Sequence, residues 1–113
     1  MQKLTGFPEF LTSSHNLVCV GDRAGNISGY LYEAADGGQA VFWDCPEGGT
    51  MEVHTHEGDE YFIVLQGQYS GVIDGREIML GPGDELLIPA GTPHNGTMSA
   101  GFRAVDVWAK PRF

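Results

Sequence analysis

Apolar and polar residues alternate in short runs along this chain, and turn-forming residues interrupt the runs at close intervals. Seventeen glycines and six prolines are spread through the whole sequence rather than gathered in one linker. Period-two alternation bounded by such residues is the mark of half-buried strands. It predicts strands over residues 17–20, 27–33, 39–43, 50–56, 60–66, 69–74, 77–80, 85–89 and 102–108. No stretch carries a helical apolar stripe of useful length, although the first fifteen residues have room for a short helix. Asp74-Gly75 lies between two alternating runs, and this pair favours a two-residue type I′ hairpin. Gly81-Pro82-Gly83-Asp84 and the segment from Pro89 to Pro93 are turns too tight for crossover helices. The fold class that follows is all-β and antiparallel, closed into a barrel or a jelly-roll sandwich.

Composition narrows the function classes. A chain of 113 residues suits one domain over residues 1–113, and 42% hydrophobic with 19% charged residues is ordinary for a folded protein. Fifteen acids against six bases give a net charge of −9, which repels phosphate backbones and anionic lipid. Nucleic acid and membrane surfaces are therefore not expected partners. The opening residues lack a signal-peptide core and the apolar runs are far too short to span a bilayer, so a cytoplasmic location is expected. Cys19 and Cys45 fall in no metal-binding or disulfide spacing and are expected to be free thiols.

The candidate chemistry lies in the histidines. His54 and His56 stand two apart, so on a regular strand both imidazoles share a face. Glu60 follows a short turn that can fold its carboxylate back toward them, and His94 follows the proline-bounded turn and can approach from a neighbouring strand. Imidazole and carboxylate together suit a divalent ion such as iron, manganese, nickel, copper or zinc. His15 lies apart from this set and is read as a solvated loop residue.

With intervals included, the first block is Gly48, five residues, His54, one residue, His56, three residues, Glu60, six residues, Gly67. The second is Gly83, five residues, Pro89, one residue, Gly91, two residues, His94. In these residue types and spacings the chain resembles the cupin superfamily, in its small single-domain form. A tenth motif position departs, with Met98 standing where that family carries Asn. The resemblance implies a cupin-type double-stranded β-helix, a jelly-roll barrel, whose metal ligands are His54, His56, Glu60 and His94.

Three neutral imidazoles and one carboxylate leave a divalent ion with positions open for water, substrate or dioxygen, whereas zinc could instead close a tetrahedron and only brace the fold. Strand parity puts Thr50 and Glu52 on the face of His54, which makes Glu52 the candidate general base. A bulge at Gly48-Gly49-Thr50 would instead turn Glu52 to solvent. The same parity places Phe62 and Val64 inside with Glu60, and Tyr61, Ile63 and Leu65 outside, where an apolar row calls for cover and suggests a homodimer. The expected function is metal-dependent chemistry on a small polar organic molecule, with dioxygenase chemistry first. Metal-assisted isomerase or lyase chemistry, or a sugar- or carboxylate-binding module without turnover, are the alternatives.

Overall fold

The computed structural model describes residues 1–23 and 25–113 of the chain. Ten strands follow one another: β1 (Leu17–Val20), β2 (Ile27–Glu33), β3 (Gln39–Cys45), β4 (Gly49–His54), β5 (Glu60–Gln66), β6 (Tyr69–Ile73), β7 (Arg76–Leu80), β8 (Glu85–Ile88), β9 (His94–Met98) and β10 (Phe102–Trp108). Two short 3₁₀ turns, Glu9–Leu11 and Ser14–Asn16, occupy the region with room for a helix. β9 was not among the expected strands, because Pro93 before it and Gly96 within it break the apolar run.

Every described strand pair is antiparallel. The strands form a six-stranded sheet in the order β1-β2-β3-β10-β5-β8 and a four-stranded sheet in the order β4-β9-β6-β7. Asp74 and Gly75 both have positive φ, 50° and 77°, as a type I′ turn requires, and Ile73 pairs with Arg76 across it. The inward faces of the two sheets share one apolar core that includes Trp43, Phe62 and Trp108 from the larger sheet and Tyr69, Leu80 and Met98 from the smaller. Met98, the departing motif position, is 7% exposed and so fills core volume. Cys19 is exposed, Cys45 is buried, and both are free thiols. No helix among the described residues is long and apolar enough to cross a membrane.

The outer face of the larger sheet is covered on one side by the N-terminal segment. Phe7 meets Phe42 edge-on at 5.5 Å, the Arg103 guanidinium lies 4.4 Å over the Phe7 ring, and the Tyr32 hydroxyl donates to the Leu11 carbonyl. The row Leu87–Tyr61–Val107, three residues paired side by side on β8, β5 and β10, stays exposed, while Ile63 is half-buried.

Candidate metal centre

The site lies where the two sheets open at one end of the core. β5 supplies Glu60 from its first position, β4 supplies His54 from its last, and β9 supplies His94 from its first. His56 stands two residues beyond β4 in the connection to β5. That connection is tied to the chain after β10: the Ala109 amide donates to the Asp59 carbonyl, and the Ala90 amide donates to the Asp59 carboxylate. Gly58 is needed there because a Cβ would come within 2.6 Å of the Lys110 amide nitrogen. Asn95 steadies β9 beside His94, its side-chain oxygen accepting from the Val72 amide and its carbonyl from the Tyr69 hydroxyl.

Two imidazoles are oriented by backbone carbonyls. His54 Nδ1–H donates to the Glu52 carbonyl at 2.7 Å, and His94 Nδ1–H donates to the Thr92 carbonyl at 2.9 Å. A carbonyl can only accept, so the proton sits on Nδ1 and each Nε2 is left with a free lone pair. The ring centroids of His54, His56 and His94 lie 4.2–5.0 Å apart, and one nitrogen from each falls within a cluster spanning at most 4.8 Å. Glu60 Oε1 is 3.2 Å from His56 Nε2 and 3.3 Å from His94 Nε2.

These last three atoms are buried, and their geometry gives none of them a hydrogen-bond partner. A buried polar atom left unpaired costs roughly 1–3 kcal/mol, so three converging on one point form a costly arrangement. A divalent cation relieves it, since each atom presents a lone pair and the set combines imidazole with carboxylate. The donor set therefore fits a metal ion.

Electrostatics favour the same outcome. Burial pushes the Glu60 carboxyl up, but contacts from His56, His94 and Asp106 outweigh it and hold Glu60 well below the ordinary carboxylate range. His54 is lowered, chiefly by burial, which favours the neutral imidazole a metal needs, whereas burial of His94 is outweighed by Glu60 and the Thr92 carbonyl, which raise it. Beneath Glu60 lies a group the sequence reading missed. Asp106 is buried on β10, and its Oδ2 accepts from Trp43 Nε1 at 2.7 Å. Burial first, and the Glu60 charge second, push its carboxyl far above the ordinary range, so Glu60 keeps the charge and Asp106 keeps the proton. The signal was present: Phe102, Ala104 and Trp108 face inward at alternate positions of β10, so Asp106 must face inward with them.

Glu52 is not part of this convergence. Met51 pairs with Gly96 and His54 with His94, so β4 carries one residue more than β9 between the two pairs. The extra residue shifts parity, which puts Met51 on the cavity side with His54 and leaves Glu52 and Val53 exposed. The expectation that Glu52 shares the inner face of His54 is thereby corrected. The bulge also lies further along the strand than Gly48-Gly49-Thr50, where the sequence offered one.

A partly open cavity of about 60 Å³ reaches from this centre into the core, lined among others by His54, Glu60, His94, Asp106 and Arg112. A wider mouth of about 700 Å³ opens outside it, edged by Glu52, His54, His56 and Arg112.

Comparison with known proteins agrees with this architecture. Residues 41–107, more than half of the chain, match the Cupin domain family, and the chain belongs to that family. The chain is 45% identical over 51 residues to quercetin 2,3-dioxygenase of Bacillus subtilis, a match covering 44% of this chain and 15% of that enzyme. It is 37% identical over 54 residues to acireductone dioxygenase of Rhodopseudomonas palustris, covering 44% of this chain and 33% of that enzyme. The chain thus spans a third or less of the enzymes it matches. Among solved structures, an RmlC-like cupin from Shewanella frigidimarina superposes with a TM-score of 0.72 at 20% identity, over 93% of this chain and 94% of that one.

Proposed function

We propose that this protein is a metal-dependent enzyme acting on a small polar organic molecule, with dioxygenase-type chemistry. The observation that carries the reading is the convergence of buried, unpartnered His56 Nε2, His94 Nε2 and Glu60 Oε1 beside His54, under an open mouth. In this reading His54, His56, Glu60 and His94 are the metal ligands. A bound divalent ion would supply Lewis acidity and, if iron, manganese, nickel or copper, oxygen activation. The chain's own residues do the rest. The carbonyls of Glu52 and Thr92 fix two imidazoles in the ligating tautomer, and burial keeps Asp106 protonated so that only one negative charge stands at the centre. The aromatic walls Trp43, Phe62 and Tyr69 make the inner part apolar. Glu52 is given no role as a base in this reading, because its side chain is exposed on the bulge at the rim of the mouth.

Dioxygenase chemistry is preferred over isomerase or lyase chemistry because quercetin 2,3-dioxygenase and acireductone dioxygenase each match 44% of the chain. Metal analysis of protein purified without added metal tests the reading. Near-stoichiometric iron, manganese, nickel or copper is expected, with oxygen uptake on screening small polyols and enediols. Tightly held zinc without oxygen uptake would overturn it. A cytoplasmic setting suits two free cysteines. A homodimer would cover the exposed Leu87–Tyr61–Val107 row, and light scattering that finds only monomer at micromolar concentration would refute that part.

A further inference from the structure

Arg112 stands where the inner cavity meets the outer mouth. It lines both, and only Met51 and His54 share that position with it. It belongs to no strand, yet its place is fixed. The side chain of Gln39, 2% exposed, accepts from the Arg112 amide at 2.8 Å and from the Phe113 amide at 2.9 Å, and donates to the Phe113 carbonyl at 2.9 Å. This amide clamps the terminal segment as a strand neighbour would. The guanidinium lies 5.2 Å from the ring centres of both Trp108 and Phe113, a stacked setting that limits its motion.

No carboxylate lies within 4.0 Å of the guanidinium, although Asp106 and Glu60 act on it through space and offset part of the lowering by burial. The other lysines and arginines among the described residues also have no carboxylate that close, so what sets Arg112 apart is its place. An arginine held by a buried clamp, half-buried, facing an open mouth and without a carboxylate in hydrogen-bonding reach is arranged for a partner from outside.

We propose that Arg112 binds the carboxylate of a small organic acid whose other end reaches the metal centre, and so sets the substrate class of the site. Carboxylate is favoured because its planar pair of oxygens matches the guanidinium fork with two parallel hydrogen bonds. The cavity of about 60 Å³ holds only a handful of water-sized groups, which restricts the ligand to a small acid or to one short acidic end. A net charge of −9 repels anions at long range, so local positive charge at the mouth is needed to hold one. This inference rests on the metal-site reading.

The test is calorimetric titration of metal-loaded protein with malonate and with its monoamide, malonamate, alongside metal analysis of every sample. Wild type is expected to bind malonate about tenfold or more tighter than malonamate, the size of a charge-assisted contact. Arg112→Gln should abolish most of that preference at unchanged metal content, and Arg112→Lys, which keeps the charge and loses the fork, should retain only part of it. If Arg112→Gln fails to fold, the loss in Arg112→Lys decides the matter. A full preference in the folded variants, or no preference in wild type, would overturn the proposal. Should wild type hold no metal and still show a preference that depends on Arg112, the metal reading fails while the role of Arg112 stands.

Discussion

β5 and β4 carry the two halves of the site and obey different rules. β5 runs between β8 and β10 and alternates where both pair with it, Glu60 and Phe62 buried and Tyr61 exposed. Its own extra residue, Leu65 against β10, falls beyond Ile63, the last residue paired with β8. β4 is the edge of the smaller sheet, pairs only with β9, and takes in an extra residue between Met51 and His54. A strand with a ladder on each side cannot absorb an extra residue without breaking both, whereas an edge strand breaks only one. The interior strand therefore places the carboxylate, while the irregular edge strand and the connection after it bring His54 and His56 over it, with His94 arriving from β9.

The comparison is open to direct attack. Phe62→Ala on the interior strand should lower stability by about 3–5 kcal/mol in denaturant unfolding, since it empties core volume at a 5% exposed position. A loss under about 1 kcal/mol would mean that β5 is not the rigid member of the pair. His56→Ala should weaken metal binding by about a hundredfold or more, beyond what loss of a supporting contact brings. Circular dichroism should show the strands intact; full metal content would break the ligand assignment.

The two thiols extend the contrast to the larger sheet. Cys45 lies on interior strand β3, where burial pushes its thiol from 9.0 to about 11, and Cys19 lies exposed on edge strand β1. At pH 8 a thiol reagent should label Cys19 at least about a hundredfold faster, as thiolate carries the reactivity. Because the folded value is raised, the stability that the neutral Cys45 thiol contributes is complete below 9.0 and lost as pH rises through about 11. Equal labelling rates would remove the distinction. The smallest effects belong on the bulge. Val53→Ala, at a 67% exposed position, and Glu52→Gln should each change stability by no more than about 0.5 kcal/mol, and Glu52→Gln should leave metal content and turnover unchanged. A large fall in turnover would return Glu52 to the chemistry.

Much of this was written in the sequence. β1, β2, β5 and β10 fall on the boundaries that polarity and turn residues predict, because each has a covered face that enforces alternation. The four metal-ligand candidates come together at one end of the core, two of them set by a two-residue spacing. Glu52 was misplaced because a bulge leaves no trace in polarity: Glu52 and Val53 read as ordinary alternation until the partner strand is known. β9 was hidden for the opposite reason, as Gly96 sits where the Tyr69 ring crosses it and a larger residue would not fit. Asp106 was legible by parity and passed over as one more acid. Arg112 follows the last strand, so no periodicity reaches it, and only the Gln39 clamp reveals its place.

The position of β10 bears on how the protein is made. It is the last strand in sequence, yet it lies between β3 and β5 and is the only link in the larger sheet between β1-β2-β3 and β5-β8. While the chain emerges from the ribosome, those two groups wait with unpaired edges until Phe102–Trp108 arrives to join them. Pairings so distant in sequence form slowly, and open edges in the interval are where nascent chains stick to one another. Asp106 and Trp108 ride on the same strand, so the floor of the candidate site is laid in the step that closes the sheet. A nascent chain that stalls before that step would carry all three clustered histidines and still have no finished pocket to hold an ion.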